Sequence, residues 1–254
     1  MKRGLTLLSV VLFGSAVTTS VAQGARETPR LPPIRIVHRS TPLVTSLNWA
    51  GYASTGTTFK AVVGSWTEPL VNCAPASNGA AAFWVGLDGY NSSTVEQAGT
   101  IAICTNGHPT YYDWWEMYPK NAVQLVHTVS PGDQMRASVT YSSNSYTLKV
   151  TDSTHSSSSF TTTQTCSGTC RRSSADWIVE APSSGGILPL PNFGQITFKS
   201  ASATSNAGHT GPINDRAWTA HRITMVNGNN QVKASTSKLN SMGNGFTVKW
   251  VRAH

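Results

Sequence analysis

From Leu47 onward, glycine, proline, asparagine or serine interrupts the chain every eight to twelve residues, and the stretches between alternate apolar with polar side chains. An amphipathic helix needs apolar residues three and four apart over about three turns, and no stretch supplies them. Strands read instead over 59–63, 80–87, 95–103, 111–118, 122–129, 134–141, 146–152, 174–180, 195–203, 222–225 and 246–251. The Ser-rich run 153–165 reads as a hairpin or a solvated loop. So many short strands at that spacing predict an all-β chain, one large antiparallel sandwich or barrel rather than two domains.

Composition points the same way. Only 12% of residues are charged, too few for the solvent faces of a helical or coiled-coil protein, while 39% hydrophobic and 9% aromatic residues suffice to bury a core.

The N-terminus is read apart from this domain. Met1, Lys2 and Arg3 precede an apolar run, 5–17, that ends in Ser20-Val21-Ala22. The pattern predicts a secretory signal peptide, 1–22, too short in its apolar core to span a bilayer. The next segment, 23–45, carries Arg26, Arg30, Arg35 and Arg39 and is broken by Pro29, Pro32, Pro33 and Pro42. It reads as a propeptide or a disordered arm, leaving 46–254 as the working domain. Residues 1–45 hold six of the 19 basic and one of the 11 acidic residues, so the remainder has a formal charge of +3 rather than +8. Only Arg171-Arg172 remains as a basic pair, so neither nucleic acid nor a membrane is expected as a partner.

All four cysteines lie in the exported part, where an even count predicts disulfides. Cys166 and Cys170 enclose three residues and suggest a local pair, with Cys73 and Cys104 the remaining partners, one of three possible connectivities. A four-cysteine zinc site needs tighter paired spacings than these.

Several carboxylates sit inside apolar strands. In Trp84-Val85-Gly86-Leu87-Asp88, alternation puts Trp84, Gly86 and Asp88 on one face; in Asp176-Trp177-Ile178-Val179-Glu180, Asp176 and Glu180 share a face with Ile178. An acid in such a strand must be paired, lie in a cleft, or hold its proton. Gln97 lies among small and apolar residues, and Tyr112, Trp114, Trp115, Glu116 and Tyr118 crowd one segment. Aromatics beside an acid and an amide suit a cleft for an extended ligand, although an aromatic stripe in a sandwich also serves as core.

Six segments in order, Asn48-Trp49-Ala50-Gly51-Tyr52, Trp66-Thr67-Glu68-Pro69, Trp84-Val85-Gly86-Leu87-Asp88-Gly89, Glu96-Gln97-Ala98-Gly99, Tyr112-Asp113-Trp114-Trp115-Glu116-Met117-Tyr118-Pro119 and Asp176-Trp177-Ile178-Val179-Glu180, resemble the motifs of the glutamic peptidases, or eqolisins. The resemblance implies a secreted acid endopeptidase made with a propeptide and folded as a concanavalin-like sandwich of two large antiparallel sheets with a concave cleft. It places the catalytic glutamine on Gln97 and the catalytic glutamate on Glu180. Trp49, Trp84, Asp88, Trp114, Glu116 and Tyr118 fall on positions that bind substrate or support the dyad, with Asp88 and Glu116 expected to hold Gln97 and Glu180. The four arginines of 23–45 are then expected to pair with cleft carboxylates at neutral pH and to release in acid.

The chain departs from the family's fungal pattern in reading Asp176 at the head of its last motif and Ala181, not an acid, after Glu180. With a working domain near +3, milder acidity is expected for its optimum. Other hydrolase patterns are missing: Gly89-Tyr90-Asn91-Ser92-Ser93 is no serine elbow, no His-Glu-x-x-His occurs, and no Asp-Thr/Ser-Gly pair occurs. A glycosidase would need two carboxylates about 5 Å apart, whereas Asp176 and Glu180 stand roughly 13 Å apart along one strand. A secreted carbohydrate-active or carbohydrate-binding β-sandwich remains the alternative. Expected partners are protein or peptide substrates, with a monomeric chain, no cofactor and no metal.

Overall fold

The structure, a computed structural model, describes residues 45–120, 123–166 and 168–254. The expected signal peptide 1–22 and propeptide 23–45 lie outside the described residues, apart from Thr45. Sixteen strands and one 3₁₀ turn, η1 (Ser156–Ser158), make up the regular structure among the described residues. The strands are β1 (Thr45–Ser46), β2 (Trp49–Thr55), β3 (Phe59–Thr67), β4 (Ala80–Leu87), β5 (Val95–Thr105), β6 (His108–Tyr118), β7 (Gln124–Thr128), β8 (Gln134–Ser142), β9 (Ser145–Asp152), β10 (Phe160–Thr165), β11 (Ser174–Glu180), β12 (Gln195–Ser205), β13 (Thr210–Pro212), β14 (Thr219–Val226), β15 (Val232–Thr236) and β16 (Phe246–Trp250).

Along the ladder the order is β10-β9-β8-β3-β12-β16-β15-β14-β2-β11-β4-β5-β6-β7, antiparallel throughout, with β1 added in parallel to β14. The ladder folds back on itself. One arm, β14-β2-β11-β4-β5-β6-β7, packs face to face on the other, β10-β9-β8-β3-β12, giving the expected sandwich. Phe83, Val85, Leu87, Trp177 and Val179 meet Phe59, Val62, Trp66, Val139, Tyr146, Leu148 and Val150, all buried. Full burial of each large apolar side chain contributes roughly 1.5–3 kcal/mol. The Trp177 indole N–H donates to the Val63 carbonyl at 2.8 Å, so its polar edge is satisfied across the interface.

Five strands escaped the sequence pattern: β1, β2, β10, β13 and β15. Glycine and alanine in β2 mimic a turn, yet the strand is central and almost wholly buried. β10, Phe-Thr-Thr-Thr-Gln-Thr, closes a hairpin on β9 at the sheet's edge, where threonines serve as well as apolar residues. β4 and β11 are buried on both faces. Their inner faces form the core, and their outer faces form the floor of the site described next. Close approach is built in at Gly99, where a Cβ would strike the Phe83 carbonyl oxygen and lie 2.7 Å from the Trp84 Cα.

Both expected disulfides form: Cys73–Cys104 ties the loop after β3 to the end of β5, and Cys166–Cys170 closes a small loop before β11. The first spans 31 residues, a loop whose closure is worth about 3–4 kcal/mol in the chain-entropy account.

Candidate active site

The site follows from register. On the face of β11 turned away from the core, Glu180 lies opposite Trp49 of β2 and Ala82 of β4, Ile178 opposite Gly51 and Trp84, and Asp176 opposite Ala53 and Gly86. β5 continues the rows with Gln97 opposite Gly86 and Gly99 opposite Trp84, and β6 adds Glu116 opposite Gln97 and Trp114 opposite Gly99. Directly paired residues share a face. One surface therefore carries Trp49, Glu180, Trp84, Gln97, Glu116 and Trp114, and Tyr118, opposite Val95, stands at its end.

Glu180 is fully buried. Its Oε2 accepts the Trp84 indole N–H at 2.9 Å and its Oε1 accepts the Asn48 amide at 3.2 Å. Burial pushes its carboxyl well above the ordinary carboxylate range; the Trp84 hydrogen bond pulls it back, and the nearby Glu116 charge adds to the rise. Trp49 packs edge-to-face on Trp84 with centroids 4.9 Å apart, fixing the indole that holds Glu180.

Gln97 donates its amide N–H to Glu116 Oε2 at 2.7 Å. Burial pushes Glu116 up to about 8, with the Gln97 hydrogen bond a partial offset, so Glu116 is neutral in acid and accepts through a carbonyl oxygen. Gln97 Oε1 and the Trp114 indole N–H are buried without a hydrogen-bond partner among the described residues. Such groups cost about 1–3 kcal/mol each if left unmet, which marks this face as a place built to bind.

Asp88 does not join this face. β4 ends at Leu87, Asp88 turns away in the left-handed region at φ 66°, and its carboxylate accepts the Ser92 hydroxyl and the backbone N–H groups of Arg172 and Ser173. It anchors the approach to β11 and touches neither Gln97 nor Glu180. The alternation that put it beside Trp84 fails because the strand stops one residue earlier. Asn48 is the residue that sequence reasoning missed. It precedes Trp49, which pairs with Glu180, so a strand over 49–55 would have pointed to it.

Gly86 is a small residue for a stated reason. A Cβ there would lie 3.0 Å from Trp84 Cζ3 and 3.1 Å from Gln97 Cβ, the side chains that position both halves of the site. Gly86→Ala is expected to lower kcat about tenfold while leaving KM nearly unchanged, because shifts of a fraction of an ångström misalign reacting groups. Steady-state kinetics on a peptide substrate checks this.

The sequence matches the Peptidase A4 family over residues 47–250, most of the chain. The chain belongs to the Peptidase A4 family. Aspergillopepsin-2 of Aspergillus niger is 29% identical over 190 residues, which cover 66% of this chain and 67% of that protein. A crystal structure of scytalido-glutamic peptidase with a peptide based transition state analog superposes with a TM-score of 0.69 at 26% identity, covering 81% of this chain and 99% of that one. Aspergilloglutamic peptidase from Aspergillus niger superposes with a TM-score of 0.58 at 28% identity, covering 68% and 99%. As a Peptidase A4 family member with these neighbours, the protein is a glutamic endopeptidase acting on protein or peptide substrates.

Proposed function

We propose that Gln97 and Glu180 form the hydrolytic dyad of an exported, monomeric acid endopeptidase. The observation that carries this reading is the pairing of a buried, charge-starved Glu180 with a Gln97 amide whose Oε1 is unmet on the same face. Ionised Glu180 takes a proton from water as the oxygen attacks the scissile carbonyl carbon. Gln97 has one N–H on Glu116 and a second free to donate to the developing oxyanion, while Oε1 accepts from the water. Glu180 then returns its proton to the amine nitrogen as the C–N bond breaks.

Ionisation of Glu116 limits this state from the alkaline side, and protonation of Glu180 itself limits it in strong acid. Neutral Glu116 removes the charge that opposes ionisation of Glu180 and places no negative group beside the oxyanion. An extended peptide could meet the Trp114 N–H with a backbone carbonyl. Two disulfides fit folding in an oxidising compartment, which supports export.

The test is digestion of a denatured protein from acid to neutral pH, with an aspartic-peptidase inhibitor throughout. Cleavage is expected to persist with the inhibitor, to fade as pH approaches 8, and to fall roughly 10²–10³-fold in Gln97→Ala. Full activity in the folded Gln97→Ala variant overturns the dyad.

A further inference from the structure

We infer that Asp133, Asp152 and His155 form a divalent-cation site, suited to zinc, at loops remote from the dyad. Asp133 precedes β8, Asp152 ends β9, and His155 stands before η1. One ligand atom from each lies within 4.8 Å of the other two, and among the described residues these three are the group so clustered. Asp133 Oδ1 is 3.0 Å from His155 Nδ1, and Asp152 Oδ2 is 3.8 Å from it. Ligand atoms at about 2.0–2.1 Å from a tetrahedral zinc lie a little over 3 Å apart, so modest adjustment brings all three onto one ion.

The independent observation is Asp152 Oδ2. Asp152 is 1% exposed, and this oxygen has no hydrogen-bond partner although it faces the imidazole. A buried carboxylate oxygen left unmet is costly, and a cation meets it. Each carboxylate is also held by its other oxygen. Asp133 Oδ2 accepts the Ser130 N–H at 2.7 Å, and Asp152 Oδ1 accepts the N–H groups of Thr154 and His155 at 2.8 and 2.9 Å. Such outer contacts aim the free oxygens and preorganise the ligands. The loops are tied as well, by Ser153 N–H to the Gln134 carbonyl and Gln134 N–H to the Thr154 hydroxyl, both 2.9 Å. His155 is half exposed, which leaves a route in and room for a water as fourth ligand. By contrast, His127 with Asp113 and His209 with Asp215 are pairs with a single carboxylate each. One imidazole nitrogen and two carboxylate oxygens in a compact set suit zinc better than calcium, which asks for six or more oxygens.

The experiment uses the untagged full chain at pH 7.5, titrated with zinc chloride by calorimetry and followed by thermal unfolding. One zinc per chain and a Tm raised by several degrees are expected. Asp152→Asn and His155→Ala are expected to weaken binding beyond the roughly 10–100-fold typical of an outer-shell partner. His209→Ala is expected to bind as the parent does. Circular dichroism establishes that each variant is folded; if Asp152→Asn does not fold, His155→Ala, at an exposed side chain, carries the test. No heat and no Tm shift would reduce the cluster to an ion pair of His155 with two carboxylates. Binding that survives His155→Ala overturns the site, and loss in His209→Ala places the zinc elsewhere.

Discussion

Glu180→Gln is expected to reduce peptide hydrolysis by about 10⁴-fold, the upper range for a group that serves as both base and acid. The substitution keeps shape and hydrogen bonding. Glutamine can accept the Trp84 N–H as the carboxyl does, and Asn48, whose Oδ1 already accepts from Ser46, can turn its amide to suit. The variant imitates the protonated carboxyl, the form that burial favours. It should therefore be at least as stable as the parent at pH 7 while inactive. Thermal unfolding at pH 7 beside a peptide assay separates the two effects. Activity within tenfold of the parent in a folded variant would remove Glu180 from the chemistry, and a large loss of stability would make it a structural acid.

The second large effect is on stability against pH. Glu68 and Glu116 are each pushed up to about 8, chiefly by burial, and Glu96, Asp176 and Glu180 are raised well above their ordinary values for the same reason. A carboxyl raised in the folded state binds its proton more tightly there than in the unfolded chain. Its contribution is whole below the unfolded value of about 4.5 and is lost as pH rises through about 8. From pH 4.5 to 7 each such group removes about 3 kcal/mol, so Glu68 and Glu116 alone account for about 6. That is comparable with the whole stability of many domains. Urea unfolding at pH 4.5 and pH 7 should show the drop, and Glu68→Gln, which keeps the site of the Thr100 and Trp66 hydrogen bonds, should remove about 3 kcal/mol of it. A free energy that is flat or rising over that interval would contradict it.

Strand periodicity and turn residues were enough to read the all-β class and most strand cores, because half-buried strands write their two faces into alternation. β4 and β11, buried on both faces, were read from their continuous apolar runs instead. β2 was lost because Gly51 and its small residues break such a run, and β10 because nearly all of its residues are threonine or glutamine, which leaves its alternating burial without an apolar-polar signature. The positions proposed for the dyad were singled out through ordered motifs, not through any single residue. Asp88 was misplaced because one left-handed residue ends the alternation, and Asn48 went unread because its role depends on β2 lying against β11. The cluster at Asp133, Asp152 and His155 joins the two ends of the β8–β9 hairpin, and histidine spacing along the chain carries no trace of it.

β4 contributes no ionisable group, yet it is hydrogen-bonded to β11 on one side and β5 on the other, so Glu180 and Gln97 are measured against each other through it. It acts as a gauge block between two machined surfaces. An engineer seeking new cleavage preferences should hold all eight of its residues constant and diversify the loops around the face, since a library that varies β4 would spend its members on lost alignment rather than altered choice.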